Sequence, residues 1–149
     1  MFDEEYAKTM HFYFHAVLRL RQDLRQRVQR KLTEHGHSDI TLEMTQVLYY
    51  LHYGAKAMKA NQQEIANKTG KNKSSVTSLL DNLVKRGLVE RVIDKNDRRH
   101  NVITLTVLGT AFVEEIYDKV YRTYDIAKIP FSIKELQHLT DLLNQLMDS

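Results

Sequence analysis

The fold is decided by the stretch NQQEIANKTGKNKSSVTSLLDNLVKRG, which covers residues 61–87. Asn61 and Asn72 each precede a run with helical periodicity, and asparagine is a favoured residue at a helix N-cap. Gly70 lies between the two runs, where a tight turn usually needs one residue with positive φ. Two short helices joined by such a turn predict a helix-turn-helix.

The second of these helices has an apolar face and a polar face. In a helix that enters the major groove of DNA, the N-terminal residues meet the base edges, and the free N–H groups of the first turn favour phosphate. An ordinary amphipathic helix with a serine-rich first turn has the same pattern, so both interpretations stay open at this point. We expect Val76, Leu79, Leu80, Leu83 and Val84 to point inward, and Lys73, Ser74, Ser75, Thr77, Ser78 and Asn82 to form the polar face.

A β-hairpin is predicted next, from two runs rich in β-branched residues at 89–93 and 101–106. Arg98 and Arg99 lie at or just past its tip, where guanidinium groups on a thin hairpin can enter the narrow minor groove. Asp97 can orient Arg99 through a charge-assisted hydrogen bond. A solvent-exposed turn with offsetting charges is the alternative. If this arginine reaches DNA, Arg99→Ala should weaken binding to every duplex and lower the salt slope by about one.

Basic residues are concentrated in the middle of the chain. Residues 56–101 hold eleven Lys and Arg against five acids, a local balance of +6, whereas the whole chain carries only +3. A basic segment between more acidic ends is typical of a module that binds a polyanion. The same charges would also suit a solvated face, so charge alone does not decide between the two.

Long apolar helices are predicted on both sides of this region, over residues 3–32, 107–124 and 133–147. They are too apolar to be solvated, so we expect them to pack against one another or against a second subunit. The predicted fold is mainly α with a small β-hairpin wing. It divides into an N-terminal dimerisation helix over 1–36, a winged helix-turn-helix over 37–106 that is centred on 61–106, and C-terminal dimerisation helices over 107–149.

Five short motifs follow one another along the middle of the chain: QEIA at 63–66, SSVT at 74–77 with Leu83, GLVER at 87–91, DRR at 97–99, and ITLT at 103–106 with Gly109. Together they resemble the MarR (multiple antibiotic resistance regulator) family of winged helix-turn-helix regulators. Met44 stands where that family usually has glutamine, which makes the match looser at the preceding helix. The resemblance extends over the whole chain in length and element order, and the segment 63–109 is its specific part.

The resemblance implies a sequence-specific, double-stranded DNA-binding transcriptional regulator, a repressor, that acts as a homodimer. A two-fold dimer implies a palindromic operator, with half-sites roughly one helical turn apart. The side chains that we expect to contact DNA are Gln62, Lys71, Lys73, Ser74, Ser75, Thr77, Ser78, Arg98 and Arg99, with Asp97 as a support within the wing.

The resemblance also implies release from DNA by a small aromatic or anionic effector, bound between the dimer helices and the winged helix. The aromatic candidates to line such a cavity are Phe12, Phe14, Tyr49, Tyr50, Tyr53 and Tyr117, and of these we select Phe12, Phe14, Tyr49 and Tyr53 as site residues. Ordinary core packing of these aromatic residues is the alternative.

Composition and missing motifs argue against other function classes. The chain has no Cys, which removes disulfides, thiolate catalysis and Cys-ligated zinc. It has no P-loop, nucleophile elbow, GxGxxG or HExxH motif, so we expect neither an enzyme nor a cofactor. His11 and His15 are four residues apart, but no third metal ligand is obvious, so we expect no metal site.

Two further expectations concern location and the main rival function. The acidic N-terminus is unlike a signal peptide, and the longest apolar run is too short to span a membrane, so we expect a cytoplasmic protein. The rival is a winged helix that binds another protein and not DNA. Its surface would be apolar where Lys73, Thr77 and Arg99 lie, and here it is polar and basic.

Overall fold

The computed structural model describes residues 1–93, 95–96, 101–124 and 128–149. In these ranges the chain is mostly helical, with a small antiparallel sheet in the order β1-β3-β2, which confirms the predicted fold class. None of the described helices is long and apolar enough to cross a membrane. The helices are α1 (Glu4–Glu34), α2 (Leu42–Tyr49), α3 (Gln62–Thr69), α4 (Lys73–Lys85), α5 (Val107–Tyr121) and α6 (Ile133–Met147), and the strands are β1 (Lys59–Asn61), β2 (Val89–Ile93) and β3 (Asn101–Leu105).

Side-chain caps begin the helices at the predicted positions. The Asn72 side chain accepts a hydrogen bond from the backbone N–H of Ser75 at 2.8 Å, and Asn61 does the same for Glu64 at 2.8 Å. At the start of α6, Ser132 and Glu135 exchange both bonds of a capping box. At α3 only the asparagine half of such a box is formed among the described residues. Each cap satisfies an N–H that would otherwise lack a partner in the first turn.

The hairpin of β2 and β3 forms as predicted, with Arg91 opposite Ile103. The third strand, β1, was not predicted. It pairs with the other edge of β3, and Ala60 lies opposite Ile103. Three residues with a lysine and an asparagine have no strand signature of their own, so only the pairing with β3 makes this segment a strand.

A single hydrophobic core joins the helix-turn-helix to α1, α2 and α5. On α4 the side chains of Val76, Leu80 and Leu83 are completely buried, as predicted. The prediction for Val84 was wrong, because its side chain is 37% exposed. The remaining core residues are Val28, Leu32, Ile40, Met44, Val47, Leu48, Leu51, Ala60, Ile65, Ala66, Leu88, Val89, Ile103, Phe112, Val113, Ile116 and Val120.

The segment between α2 and β1 departs from regular geometry. The helix that begins at Leu42 leaves α-geometry after Tyr49 and continues as a π-helical turn over Tyr50–Gly54. Ala57 and Met58 then adopt φ values of 55° and 58°, a left-handed conformation that is rare for residues other than glycine. This bend brings the chain from α2 to the start of β1.

Candidate nucleic-acid interface

The first two turns of α4 form an exposed polar surface. Lys73, Ser74, Ser75 and Ser78 are exposed, and Thr77 is half-buried. The helix is fixed from below by its buried apolar side chains, so the polar side chains project from a rigid support. This is the surface that the sequence predicted for contacts with DNA.

Hydrogen bonds tie this surface to α3. The side-chain amide of Gln62 donates to the hydroxyl of Thr77 at 2.5 Å, and that hydroxyl donates to the backbone carbonyl of Lys73 at 2.9 Å. Gln62 is the first residue of α3, so the bond joins the two helices of the helix-turn-helix near their N-terminal ends. The structure thus brings together three of the residues predicted to contact DNA.

The N-terminus of α4 is stabilised by Asn72. Its side-chain oxygen accepts both the backbone N–H of Ser75, at 2.8 Å, and the hydroxyl of Ser74, at 3.0 Å. Gly70, at φ +67°, makes the turn between the helices, as predicted. The partly positive end of α4 is therefore held in an accessible position, which favours an anionic ligand such as a phosphate.

Lys71, in the turn between α3 and α4, is close to an acidic side chain on α2. Burial would raise the pKa of Glu43, but hydrogen bonds from Arg25 and from its own backbone N–H, and the charges of Arg25 and Lys71, keep the pKa below its ordinary value. Arg25 belongs to α1 and forms an ion pair with Glu43. This charge cluster connects the long N-terminal helix to the turn of the helix-turn-helix.

Two ion pairs join the second half of α4 and its C-terminal end to neighbouring segments. Asp81 of α4 pairs with Arg91 of β2 at 2.6 Å, which joins α4 to the first strand of the hairpin. Arg86, at the end of α4, pairs with Asp39 in the loop before α2. A backbone hydrogen bond and then the hydrogen bond from Arg86 lower the pKa of Asp39. None of these four residues was singled out as a site residue from the sequence, because each pair joins positions that no spacing rule relates.

The wing is attached to α5 through close backbone packing. The Thr106 hydroxyl donates to the carbonyl of Gly87 at 2.6 Å and accepts from the N–H of Gly109 at 2.9 Å. A Cβ added at Gly109 would lie only 2.0 Å from the carbonyl oxygen of Leu88. The glycine therefore allows α5 to begin directly against the strand. Asp97, Arg98 and Arg99, which were predicted to act at the wing tip, lie outside the described residues.

Two of the four residues predicted for an effector cavity come together. Tyr49 and Tyr53 have ring centroids 4.7 Å apart, and Tyr49 also contacts Tyr121 at 4.5 Å and Tyr117 at 5.6 Å. Burial, followed by the neighbouring tyrosines, raises the pKa of Tyr49 and of Tyr121. We refer to these four residues as the tyrosine cluster. Tyr117 was among the wider set of candidates from the sequence, and Tyr121 was not. The i, i+4 spacing of Tyr117 and Tyr121, which matches that of Tyr49 and Tyr53, was the signal that could have indicated Tyr121 as well.

The other two predicted cavity residues lie elsewhere. Phe12 and Phe14 are on the first half of α1, where they are 68% and 56% exposed. Their ring contacts are with His11 and Tyr13, and among the described residues none joins them to the tyrosine cluster. Within one chain the four predicted residues therefore do not form one site.

Residues 38–100 match the sequence model of the MarR family. The HTH-type transcriptional regulator FarR of Neisseria gonorrhoeae is 34% identical over 84 residues. The middle of the chain is therefore similar to the MarR family over residues 38–100. The match to FarR covers 56% of this chain and 58% of the relative, so it spans less than two thirds of that protein's length.

Solved structures of MarR family members have the same fold. NadR in complex with 4-hydroxyphenylacetate is 27% identical, with a TM-score of 0.73 over 88% of this chain and 89% of that one. A mutant MarR from E. coli, solved in complex with operator DNA, is 23% identical, with a TM-score of 0.73 over 89% and 91% of the two chains. AbsC of Streptomyces coelicolor is 17% identical, with a TM-score of 0.79 over 99% and 95%.

Proposed function

We propose that this chain is a MarR family transcriptional repressor that binds double-stranded DNA sequence-specifically, as a homodimer on a palindromic operator. One observation carries the proposal: the exposed, polar first half of α4 is held on α3 by the bonds between Gln62, Thr77 and Lys73. Small polar side chains near the N-terminus of a recognition helix are suited to base edges in the major groove.

The surroundings of α4 fit a polyanionic ligand. Lys71 and Lys73 stand at the turn and at the first position of the helix, where cations and free N–H groups can bind phosphates. Phosphate contacts of this kind position a protein on the duplex, and contacts to base edges add sequence preference. The E. coli MarR structure with operator DNA supports this use of the shared fold.

The homodimer is supported by apolar side chains that one chain leaves uncovered. Phe12, Phe14 and Leu18 are exposed on α1, and Leu139 and Leu142 are exposed on α6. Patches of this kind mark interaction surfaces, and they occur on the two terminal helices that the sequence assigned to dimerisation. A second copy of this chain supplies a matching apolar surface through two-fold symmetry.

For the effector we propose a small aromatic carboxylate that binds beside the tyrosine cluster. The phenol rings of Tyr49 and Tyr53 offer stacking surfaces and hydroxyl groups that can donate hydrogen bonds to an anion. NadR, which was solved with 4-hydroxyphenylacetate, supports this class of ligand. Titration of a DNA complex with 4-hydroxyphenylacetate tests it, and a Tyr49→Leu variant that responds equally would contradict the assignment to this cluster.

Selection of bound sequences from random duplex DNA tests the main proposal. We expect an enriched inverted repeat, with half-site centres about one helical turn apart. A Lys73→Ala variant should bind all selected sequences more weakly and with a smaller salt slope, by about one, because a phosphate contact is lost. Enrichment of no sequence, together with no retention of duplex at low salt, would overturn the proposal.

A further inference from the structure

The hydroxyl of Thr77 makes two hydrogen bonds inside the protein. It donates its one hydrogen to the carbonyl of Lys73 at 2.9 Å, and it accepts the side-chain amide of Gln62 at 2.5 Å. A hydroxyl has a single donor and two acceptor positions. No hydrogen remains to donate to a base, and the two bonds fix the side-chain rotamer.

The part of Thr77 that is not held by these bonds is its methyl group. The side chain is half-buried, on the second turn of α4 and within the surface proposed to meet the major groove. In that groove the distinctive apolar feature is the C5-methyl group of thymine, and a threonine methyl is one of the groups that recognise it.

The other hydroxyls on α4 differ in whether their hydrogen is already used within the protein. Ser78 is exposed, and in the described part of the chain its hydroxyl makes no hydrogen bond. It can therefore rotate to donate to a base or to accept from one. Ser74, in contrast, uses its hydrogen on the side chain of Asn72 at 3.0 Å. Adjacent positions on one helix thus offer different chemistry to the groove.

We propose that Thr77 is a specificity-determining residue that reads a thymine through its methyl group, with Gln62 as the positioning residue that holds the hydroxyl away from the bases. The proposal rests on the proposed function, since it requires that α4 enters the major groove. It assigns an apolar contact to a residue whose hydroxyl would otherwise suggest hydrogen bonding.

Replacing thymine by deoxyuridine, which lacks only the C5-methyl, tests the proposal directly. The full chain is titrated with the duplex enriched from random DNA, carrying deoxyuridine at one thymine of each half-site in turn. For one thymine position we expect affinity to fall about fourfold per half-site, the effect of losing one buried methyl group. The other thymine positions should respond less.

Two variants separate the methyl from the hydroxyl. Thr77→Val keeps a methyl and should remain sensitive to deoxyuridine at that position. Thr77→Ser keeps the hydroxyl and both of its bonds but has no methyl, so it should bind the thymine and deoxyuridine duplexes equally. Ser78→Ala, on the same exposed surface, is the matched control and should retain the full sensitivity.

The outcomes distinguish this inference from the function on which it rests. If the wild-type chain binds the selected duplex but no deoxyuridine substitution weakens binding, the methyl contact is wrong and DNA recognition stands. The same holds if Thr77→Ser keeps the sensitivity, because a group other than the Thr77 methyl would then contact the thymine methyl. If the chain binds no duplex at all, the proposed function fails and the inference fails with it.

Discussion

Apolar side chains are packed very differently in α4 and in α6, although both helices are amphipathic and similar in length. α4 completely buries Val76, Leu80 and Leu83, whereas α6 has no buried residue. From the sequence pattern alone, the two helices would be expected to bury their apolar faces to the same extent. An amphipathic pattern therefore predicts that one face of a helix packs against another surface. Whether that surface belongs to the same chain depends on the fold.

The largest expected effect comes from the buried region. Leu80→Ala removes a completely buried side chain from the centre of the core, and we expect it to lower the free energy of unfolding by about 2–5 kcal/mol. Chemical denaturation at fixed protein concentration measures this. The matched control is Val107→Ala on α5, which is 90% exposed and should change stability by less than about 0.5 kcal/mol. Equal effects of the two substitutions would show that the core is wrongly assigned.

The next largest effect is expected for the exposed apolar face of α6. Leu139→Glu places a charge on the apolar face of α6, and we expect it to shift the mass in solution from twice 17.5 kDa towards 17.5 kDa. Affinity for an inverted repeat should fall on the order of a hundredfold, because the second half-site no longer binds within the same complex. Asn144→Glu, on the polar face of the same helix, should leave both quantities unchanged. A monomeric wild-type chain would contradict the proposal for these helices.

A smaller effect is expected where the wing meets α5. Gly109→Ala brings a Cβ to 2.0 Å from the carbonyl oxygen of Leu88, so backbone must move, at a cost of about 1–3 kcal/mol. Gly36→Ala is the matched comparison, since its φ is +82° but nothing lies within 4 Å of the added Cβ. It should cost about 1 kcal/mol from the backbone conformation alone. If thermal unfolding ranks the two variants in the opposite order, the close packing at Gly109 is wrong.

Local signals explain most of the fold that could be predicted from the sequence. The caps at Asn61, Asn72 and Ser132 depend only on residues within one turn, so the starts of these helices were predictable. β1 was not, because its pairing with β3 joins Ala60 to Ile103 across more than forty residues. A polar segment of three residues is too short to have a periodicity that would indicate pairing with a distant strand.

The same distinction applies to the candidate sites. The polar face of α4 follows from helical spacing, and the structure confirms that its residues are accessible. The role of Gln62 in holding Thr77 depends on the angle between two helices, which the sequence does not encode locally. Phe12 and Phe14 were grouped with Tyr49 and Tyr53 because all are aromatic, but position along a 31-residue helix separates them.

The most direct test of the account compares binding to a complete inverted repeat with binding to one half-site in a duplex of equal length. Native mass spectrometry gives the number of chains per duplex, and titration at one fixed salt concentration gives the affinity. We predict two chains on the inverted repeat and an affinity for the isolated half-site that is weaker by on the order of a hundredfold or more. A single chain that binds the half-site as tightly as the inverted repeat would contradict the account.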